Sequence, residues 1–214
     1  MGLELTEIMA QALQPASPEP LLPARRSIRR YQDRPVSGQL IDRLLESAVT
    51  APSAHNRQPW RFVVLLDKTG KVSLATAMGR KLRAARLADG DAIEEIEADV
   101  ARSYARLTDA PALVLVCLTM NDMDVYRDEH RNQAEYLMAV QSTAMAGQNL
   151  LLAASAAGLG ACWLCAPIFC PDTVGQTLGL PADWRPQGVI TLGYPANAAK
   201  PYTRRSISDI ARKL

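Results

Sequence analysis

The sequence has few residues of the kinds that bind metals. Its 214 residues include two histidines and four cysteines. Cys162 and Cys165 form a CxxC pair, a spacing that also occurs in zinc and redox sites. The residues around this pair are apolar, however, and His55 and His130 lie far from it in the sequence. The pattern favours buried cysteines that pack as small hydrophobic side chains over a metal or redox site. It indicates no disulfide framework and is typical of a cytoplasmic protein.

The sequence also lacks a large excess of either charge. Lysine and arginine together number 24, and aspartate and glutamate together number 22, which gives a formal net charge of +2. Domains that bind nucleic acid are usually strongly basic, so we expect no nucleic-acid partner. Basic residues are concentrated in two places, residues 25–34 and residues 200–205.

One long stretch contains no charged residue at all, from Tyr136 to Pro171. It is long enough to cross a bilayer. Polar or helix-breaking residues such as Gln141, Gln148 and Pro167 interrupt it, so neither half offers about 20 continuous apolar residues. A buried helix followed by a buried strand explains the stretch better, and we expect no membrane segment.

Hydrophobic periodicity predicts the remaining elements. An N-terminal helix (3–13) and an extended Pro-rich arm occupy residues 1–23, and a single domain occupies residues 24–214. One helix is predicted to begin at Ser37, and further helices are predicted over 72–88, 91–107 and 133–157. A short helix is predicted with Asp172 as its cap. Strands are predicted over 61–67, 112–118, 161–166 and 188–193. The helix at 133–157 is apolar on all sides, so its burial requires a second subunit.

Four segments could carry chemistry. Residues 25–30 hold four arginines and a serine, which suit a phosphate, although a solvated basic turn is the simpler alternative. The loop at 51–62 combines prolines with side-chain donors and could bind the edge of a planar heterocycle. Gly158 and Gly160 permit close backbone approach after the long helix. Gly193-Tyr194-Pro195 precedes the second basic cluster.

In this order the segments resemble the nitroreductase-like flavoprotein family, over roughly residues 24–212. The resemblance is carried by RRSIR, PSAHNRQPW, GLG with a following aromatic residue, LGYP and the basic tail. A narrower likeness points to the FMN-binding reductase domain of actinobacterial deazaflavin-coenzyme (gamma-glutamyl) ligases. It is carried by residues 107–111 (LTDAP), 126–129 (YRDE) and 162–174 (CWLCAPIFCPDTV).

The family resemblance implies an α+β fold in which helices flank a central, mainly antiparallel sheet. It implies an intertwined homodimer that binds FMN at the interface between its subunits. It also assigns FMN-contacting roles to twelve residues: Arg25, Arg26, Ser27, Arg29, Pro52, Ser53, Asn56, Gln141, Cys165, Ala166, Arg204 and Arg205.

These residues have different implied roles. Arg25, Arg26 and Ser27 are expected near the phosphate, joined by Arg204 or Arg205 from the tail. Arg29 is expected near the pyrimidine edge, where it would stabilise negative charge. Pro52, Ser53 and Asn56 are expected to come from the facing subunit, with Asn56 bonded to the ring edge. Backbone N–H groups at Cys165 and Ala166 are expected near the reactive flavin nitrogen. His55 is the one candidate proton donor.

The implied activity is a ping-pong reaction in which NAD(P)H reduces the flavin and a nitroaromatic, quinone or similar acceptor then oxidises it. Alternatives are a biosynthetic reductase of a deazaflavin precursor, a non-catalytic flavin-binding protein, and a phosphate-binding module without flavin. Residues 72–107 and 121–132 are expected to cover the acceptor site. Arg80, Lys81, Arg83 and Arg86 would give this lid a basic face suited to an anionic substrate, or would form only a solvated helix face.

Overall fold

The computed structural model of the protein describes residues 21–199 and 201–214. The predicted helix at 3–13 and most of the Pro-rich arm lie outside the described residues. The end of the arm is not extended as predicted, because Leu21–Ala24 form one helical turn (α1). Arg25 N–H donates a hydrogen bond to Leu21 O at 3.0 Å, which closes this turn. Proline is tolerated within a first turn, since its missing N–H would have no partner inside the helix.

A four-stranded sheet forms the centre of the domain. Its strands are β1 (Trp60–Leu65), β2 (Ala112–Leu118), β3 (Gly160–Leu164) and β4 (Arg185–Gly193), in the order β1-β2-β4-β3. All three pairings are antiparallel. Every residue of β2 is buried, as its continuous apolar sequence predicts. The fold is therefore α+β with an antiparallel sheet, as expected.

Helices cover both faces of this sheet. Alternate residues of β2 pack in two clusters. Val114 and Val116 pack against helices α2 (Gly38–Ala48) and α5 (Glu129–Ala156). Leu113 and Leu115 pack against helices α3 (Lys68–Ala88), α4 (Ile93–Thr108) and α6 (Pro171–Leu178). Because successive side chains of a strand point to opposite faces, one apolar strand supports both layers.

Local signals set the helix ends. Ser37 Oγ accepts a hydrogen bond from Leu40 N–H at 3.3 Å and caps α2, close to the predicted start of this helix. Gly90, with φ of +80°, lies in the predicted break between α3 and α4. The prediction that Asp172 caps α6 is wrong, because the cap position is Cys170 and Asp172 lies inside the first turn. There its carboxylate faces the positive end of the helix dipole.

The long helix α5 is not buried on every side within one chain. One face packs on the sheet through Ala139, Ala146 and Leu150. The opposite face is open, and Leu137 on it is 56% exposed. Within the described residues, no helix is long and apolar enough to cross a membrane.

Candidate functional site

The arginine-rich segment lies along β3, at one edge of the sheet. Ile28 N–H donates to Ala161 O at 3.0 Å, and Gln32 N–H donates to Tyr194 O at 2.8 Å. A Cβ on Gly160 would lie 2.6 Å from Ile28 Cγ2, so only glycine permits this approach. The segment is thus fixed by the backbone, and the predicted close approach at Gly160 is confirmed.

A cleft of about 820 Å³ opens beside this segment. We call it the arginine cleft. It lies between the N-terminal basic segment, helix α4 and the start of the C-terminal tail. Its lining includes Arg25, Arg26, Ser27, Arg29, Arg30, Arg102, Arg106, Asp109, Asn197, Tyr202 and Arg204.

The arginine cleft is strongly cationic. Seven arginines and one acidic residue, Asp109, are among its described lining residues. Arg102 also forms an ion pair with Asp99 on the same helix. Guanidinium groups form charge-assisted, bidentate hydrogen bonds with phosphate oxygens. The cleft therefore suits a phosphate monoester better than a neutral ligand.

The structure brings together five of the predicted cofactor-contacting residues and adds two that the sequence did not reveal. Arg25, Arg26, Ser27, Arg29 and Arg204 all line the arginine cleft, whereas Arg205 does not. The additions, Arg102 and Arg106, lie on α4 among acidic residues, where the sequence indicates only a solvated helix. Only the packing of α4 beside the arginine-rich segment identifies them.

A second, mostly apolar cavity of about 730 Å³ lies beside the cleft. We call it the apolar cavity. Helices α3 and α4 form one wall, through Met78 and Leu107 among others, and residues 163–170 form the other. Arg106 lines both the arginine cleft and the apolar cavity. Together the two spaces therefore suit a ligand that has an anionic end and a flat, apolar end.

Cys165 and Ala166 line the apolar cavity, as expected for residues near a ring. The predicted strand extends too far, however: β3 ends at Leu164, and Ala166–Phe169 form a 3₁₀ turn. Trp163 Nε1 donates to Cys165 Sγ at 3.3 Å, which fixes the indole at the cavity wall.

The CxxC cysteines have different surroundings. Cys165 is exposed and Cys162 is buried. Burial raises the pKa of the Cys162 thiol, while the charges of Arg29 and Arg106 and hydrogen bonds from Ser27 and Arg29 partly oppose this effect. Arg29 therefore lies where the arginine cleft meets β3.

The loop before β1 has an unusual backbone. His55, Asn56 and Gln58 have φ values of +49°, +55° and +49°, although none is glycine. Such residues concentrate at functional sites, where the surrounding structure must hold them in place. Here Ser53 Oγ accepts from Gln58 N–H at 3.1 Å, and Ser142 Oγ accepts from Ala54 N–H at 3.2 Å.

This loop forms a second group of predicted residues, separate from the cleft. The bond to Ser142 places Pro52, Ser53 and Asn56 beside α5, on which Gln141 is exposed. Among the described residues, none of these four lines the arginine cleft or the apolar cavity. The predicted residues therefore fall into two groups on different parts of the surface.

Ion pairs attach neighbouring segments to this loop. Arg57 pairs with Asp124, and Arg61 Nη2 lies 2.9 Å from Asp122 Oδ2. Residues 121–128, predicted as part of a lid, are therefore fixed beside the loop at 52–58.

The predicted basic face of α3 is largely neutralised. Arg83 forms a two-bond pair with Glu97, at 2.6 Å for each bond. Arg86 pairs with Asp91 and Asp99. The expectation of a four-residue basic face is wrong for these two arginines, because α4 supplies carboxylates opposite them. Lys81 does line the apolar cavity.

Residues 22–194 match the profile described as the Nitroreductase family. A Thermus thermophilus protein named NADH dehydrogenase is 35% identical over 210 residues, covering 87% of this chain and 90% of its own. A relative from Archaeoglobus fulgidus, provisionally named NADH dehydrogenase/NAD(P)H nitroreductase, is 31% identical over 177 residues, with 80% and 81% covered. A provisionally named nitroreductase from Desulfovibrio desulfuricans, crystallised with FMN, superposes with a TM-score of 0.70 at 28% identity, covering 92% of this chain and 98% of its own.

Proposed function

The chain belongs to the nitroreductase family, and from that premise we propose that it is an FMN-dependent oxidoreductase. The proposed electron donor is NAD(P)H, and the proposed acceptor is a conjugated compound such as a nitroaromatic or a quinone. The names of the Thermus and Archaeoglobus relatives support the donor, and the FMN bound to the Desulfovibrio protein supports the cofactor.

The observation that carries this proposal is that the arginine cleft and the apolar cavity adjoin at Arg106, which lines both. FMN has a dianionic phosphate at one end and a flat tricyclic ring at the other. The described residues fit such a molecule, because guanidinium groups are gathered at one end and apolar side chains at the other. A simple phosphate-binding module would have no use for the apolar cavity.

Each part of the site then has a role. Arg25, Arg26, Ser27 and Arg204 would hold the phosphate, and Arg29 would lie nearer the ring. When bound, FMN supplies the chemistry, accepting a hydride from NAD(P)H and passing it to the acceptor. The protein supplies orientation, a cationic environment that favours negative charge, and a wall that excludes water. No acid or base from a side chain is required.

We also propose that the site is completed by a second copy of the chain. Pro52, Ser53, Asn56 and Gln141 line neither space in their own chain, and they lie beside the open face of α5. A homodimer packed through α5 would bury Leu137, which is exposed within one chain. It would also place this second group of residues against the partner's FMN.

The deazaflavin alternative receives less support. An anionic deazaflavin precursor would be favoured by a basic lid, but Arg83 and Arg86 are already paired with Glu97 and Asp99 of α4 and with Asp91 before it. The proposed acceptor is therefore a compound whose apolar, conjugated part fills the cavity.

The test is an absorbance spectrum of the purified protein, followed by anaerobic addition of NADH and then NADPH. We expect flavin bands that bleach on addition of one or both donors and return when a quinone is added. Flavin bands that persist with both donors would refute the proposed donor. A colourless protein that also fails to bind added FMN would refute the proposed function.

A further inference from the structure

Two arginines of the arginine cleft contact the same aromatic ring. The guanidinium carbon of Arg26 lies 4.1 Å from the centroid of the Tyr202 ring, and that of Arg204 lies 4.2 Å from it. All three residues line the cleft. Both distances are within the range of about 6 Å in which a cation is attracted to the face of an aromatic ring.

This arrangement counters two costs of placing arginines together. Neighbouring guanidinium groups repel each other, and each long side chain loses rotamer freedom when it is fixed. An aromatic ring attracts each cation through its quadrupole without neutralising the charge. A carboxylate would also fix the arginines, but it would compete with a phosphate for their donors.

The ring also connects segments that are distant in the sequence. Arg26 belongs to the segment held along β3, whereas Tyr202 and Arg204 belong to the tail, whose described residues 201–214 are exposed. The ring–cation contacts thus place the tail arginine on the side of the cleft formed by Arg26.

We propose that Tyr202 is a positioning residue for anion binding, which holds Arg26 and Arg204 so that both can bind one phosphate monoester. The inference rests on the proposed function, since it takes the phosphate of FMN as the ligand. It adds a role for a residue that the sequence did not single out as a cofactor contact.

The test compares FMN with riboflavin, which has the same ring but no phosphate. Full-length wild-type protein and the Tyr202→Leu and Tyr202→Phe variants are titrated with both flavins. We expect Tyr202→Leu to weaken FMN binding about 5- to 30-fold, the range for one or two cation–π contacts, and to leave riboflavin binding unchanged. Tyr202→Phe keeps the ring and should restore FMN affinity to near the wild-type value.

Tyr104→Leu is the matched control. Tyr104 is a partly exposed tyrosine on α4, and it lines neither the arginine cleft nor the apolar cavity. Its substitution should leave the FMN-to-riboflavin affinity ratio at the wild-type value. The far-UV circular dichroism spectrum of each leucine variant, recorded before the titration, would reveal a folding defect.

Three results would overturn the inference: an unchanged ratio in Tyr202→Leu, an equal loss for both flavins, or no rescue by phenylalanine. Failure of the proposed function looks different, because the wild-type protein would then bind neither flavin. In that case pyrophosphate is the probe for the cleft. Tyr202→Leu should still weaken its binding, and an unchanged affinity would overturn the role of Tyr202.

Discussion

The hydroxyl oxygen of Tyr31 lies 2.6 Å from Thr191 Oγ1, a contact between residues 160 positions apart in the sequence. The same hydroxyl donates to Ile28 O at 2.7 Å. Burial raises the pKa of Tyr31 far above its usual value, so the phenol remains protonated. Tyr31 therefore fastens the arginine-rich segment to β4, in the interior of the sheet.

The first prediction concerns this contact. Tyr31→Phe should lower the free energy of unfolding by about 1 kcal/mol, the net value of a typical hydrogen bond, since Thr191 Oγ1 can still donate to Cys162 O. Urea denaturation measures the change. Tyr104→Phe removes a hydroxyl from a partly exposed ring and should have little effect. Equal midpoints for wild type and Tyr31→Phe would contradict the assigned role.

The second prediction concerns the packing of Trp163 on two glycines. A Cβ on Gly147 or Gly188 would lie 2.4 or 2.5 Å from atoms of the Trp163 ring. Gly188→Ala should therefore destabilise the fold by about 1–3 kcal/mol through overpacking. Gly175→Ala is the control, because open space surrounds that helical position and alanine should stabilise it slightly. If both variants have the same stability, the indole is not held against the sheet as described.

The third prediction is a pH dependence. Burial raises the pKa of the Cys117 thiol to about 12, whereas an unfolded thiol has a pKa of about 8.5. The folded state thus retains a proton that the unfolded state loses. The thiol's contribution to the free energy of unfolding is fully present below about pH 8.5. Above that pH it is lost at up to about 1.4 kcal/mol per pH unit.

Urea denaturation between pH 8 and pH 10 measures this effect. Cys117→Ala should flatten the decline of stability with rising pH, although the variant is less stable at every pH. Val116→Ala also removes buried side-chain atoms from the same strand. It should lower stability but keep the wild-type dependence of stability on pH. Parallel curves for Cys117→Ala and wild type would show that the thiol makes no such contribution.

The fourth prediction concerns Arg106, which lines both the cleft and the cavity. Arg106→Gln should weaken FMN binding by about 1–3 kcal/mol if the guanidinium makes a charge-assisted bond to the cofactor. Flavin fluorescence titration gives the affinity. Arg43→Gln, an exposed change on α2, is the charge-matched control. If the two variants bind FMN equally well, the two spaces do not form one FMN site.

The fifth prediction tests the homodimer. Leu137→Arg places a charge on the open face of α5 and should yield a monomer that has lost its flavin, as measured by analytical ultracentrifugation with absorbance detection. Leu87→Arg is the control, since Leu87 is similarly exposed but lies at the end of α3. A dimeric, yellow Leu137→Arg protein would exclude this helix face as the interface.

The sheet and its core could be predicted from the sequence, because strand and helix periodicities are local properties. The continuous apolar sequence of β2 and the alternation of polar and apolar residues in α2 each point to one structure. The arginines at 25–29 and at 204 also stand out, since basic residues are concentrated there in the sequence.

Other features depend on tertiary contacts that no local pattern contains. Arg106 looks like part of a solvated helix until α4 is packed beside the arginine-rich segment. Arg86 and Asp99 pair across two helices, so the basic pattern of α3 alone suggests a face that the fold neutralises. The positive φ value at Gln58 is likewise invisible in the sequence, because glutamine does not normally signal such a backbone.

The arginine cleft combines residues from both ends of the domain, and this has a consequence for synthesis. A ribosome adds residues in order, so Arg25 and Arg26 leave the exit tunnel long before Tyr202 and Arg204 are made. Contacts of such sequence separation form late and slow the folding of a domain. A growing chain therefore cannot assemble the complete cleft before Tyr202 and Arg204 have emerged, and we expect cofactor capture to follow their emergence.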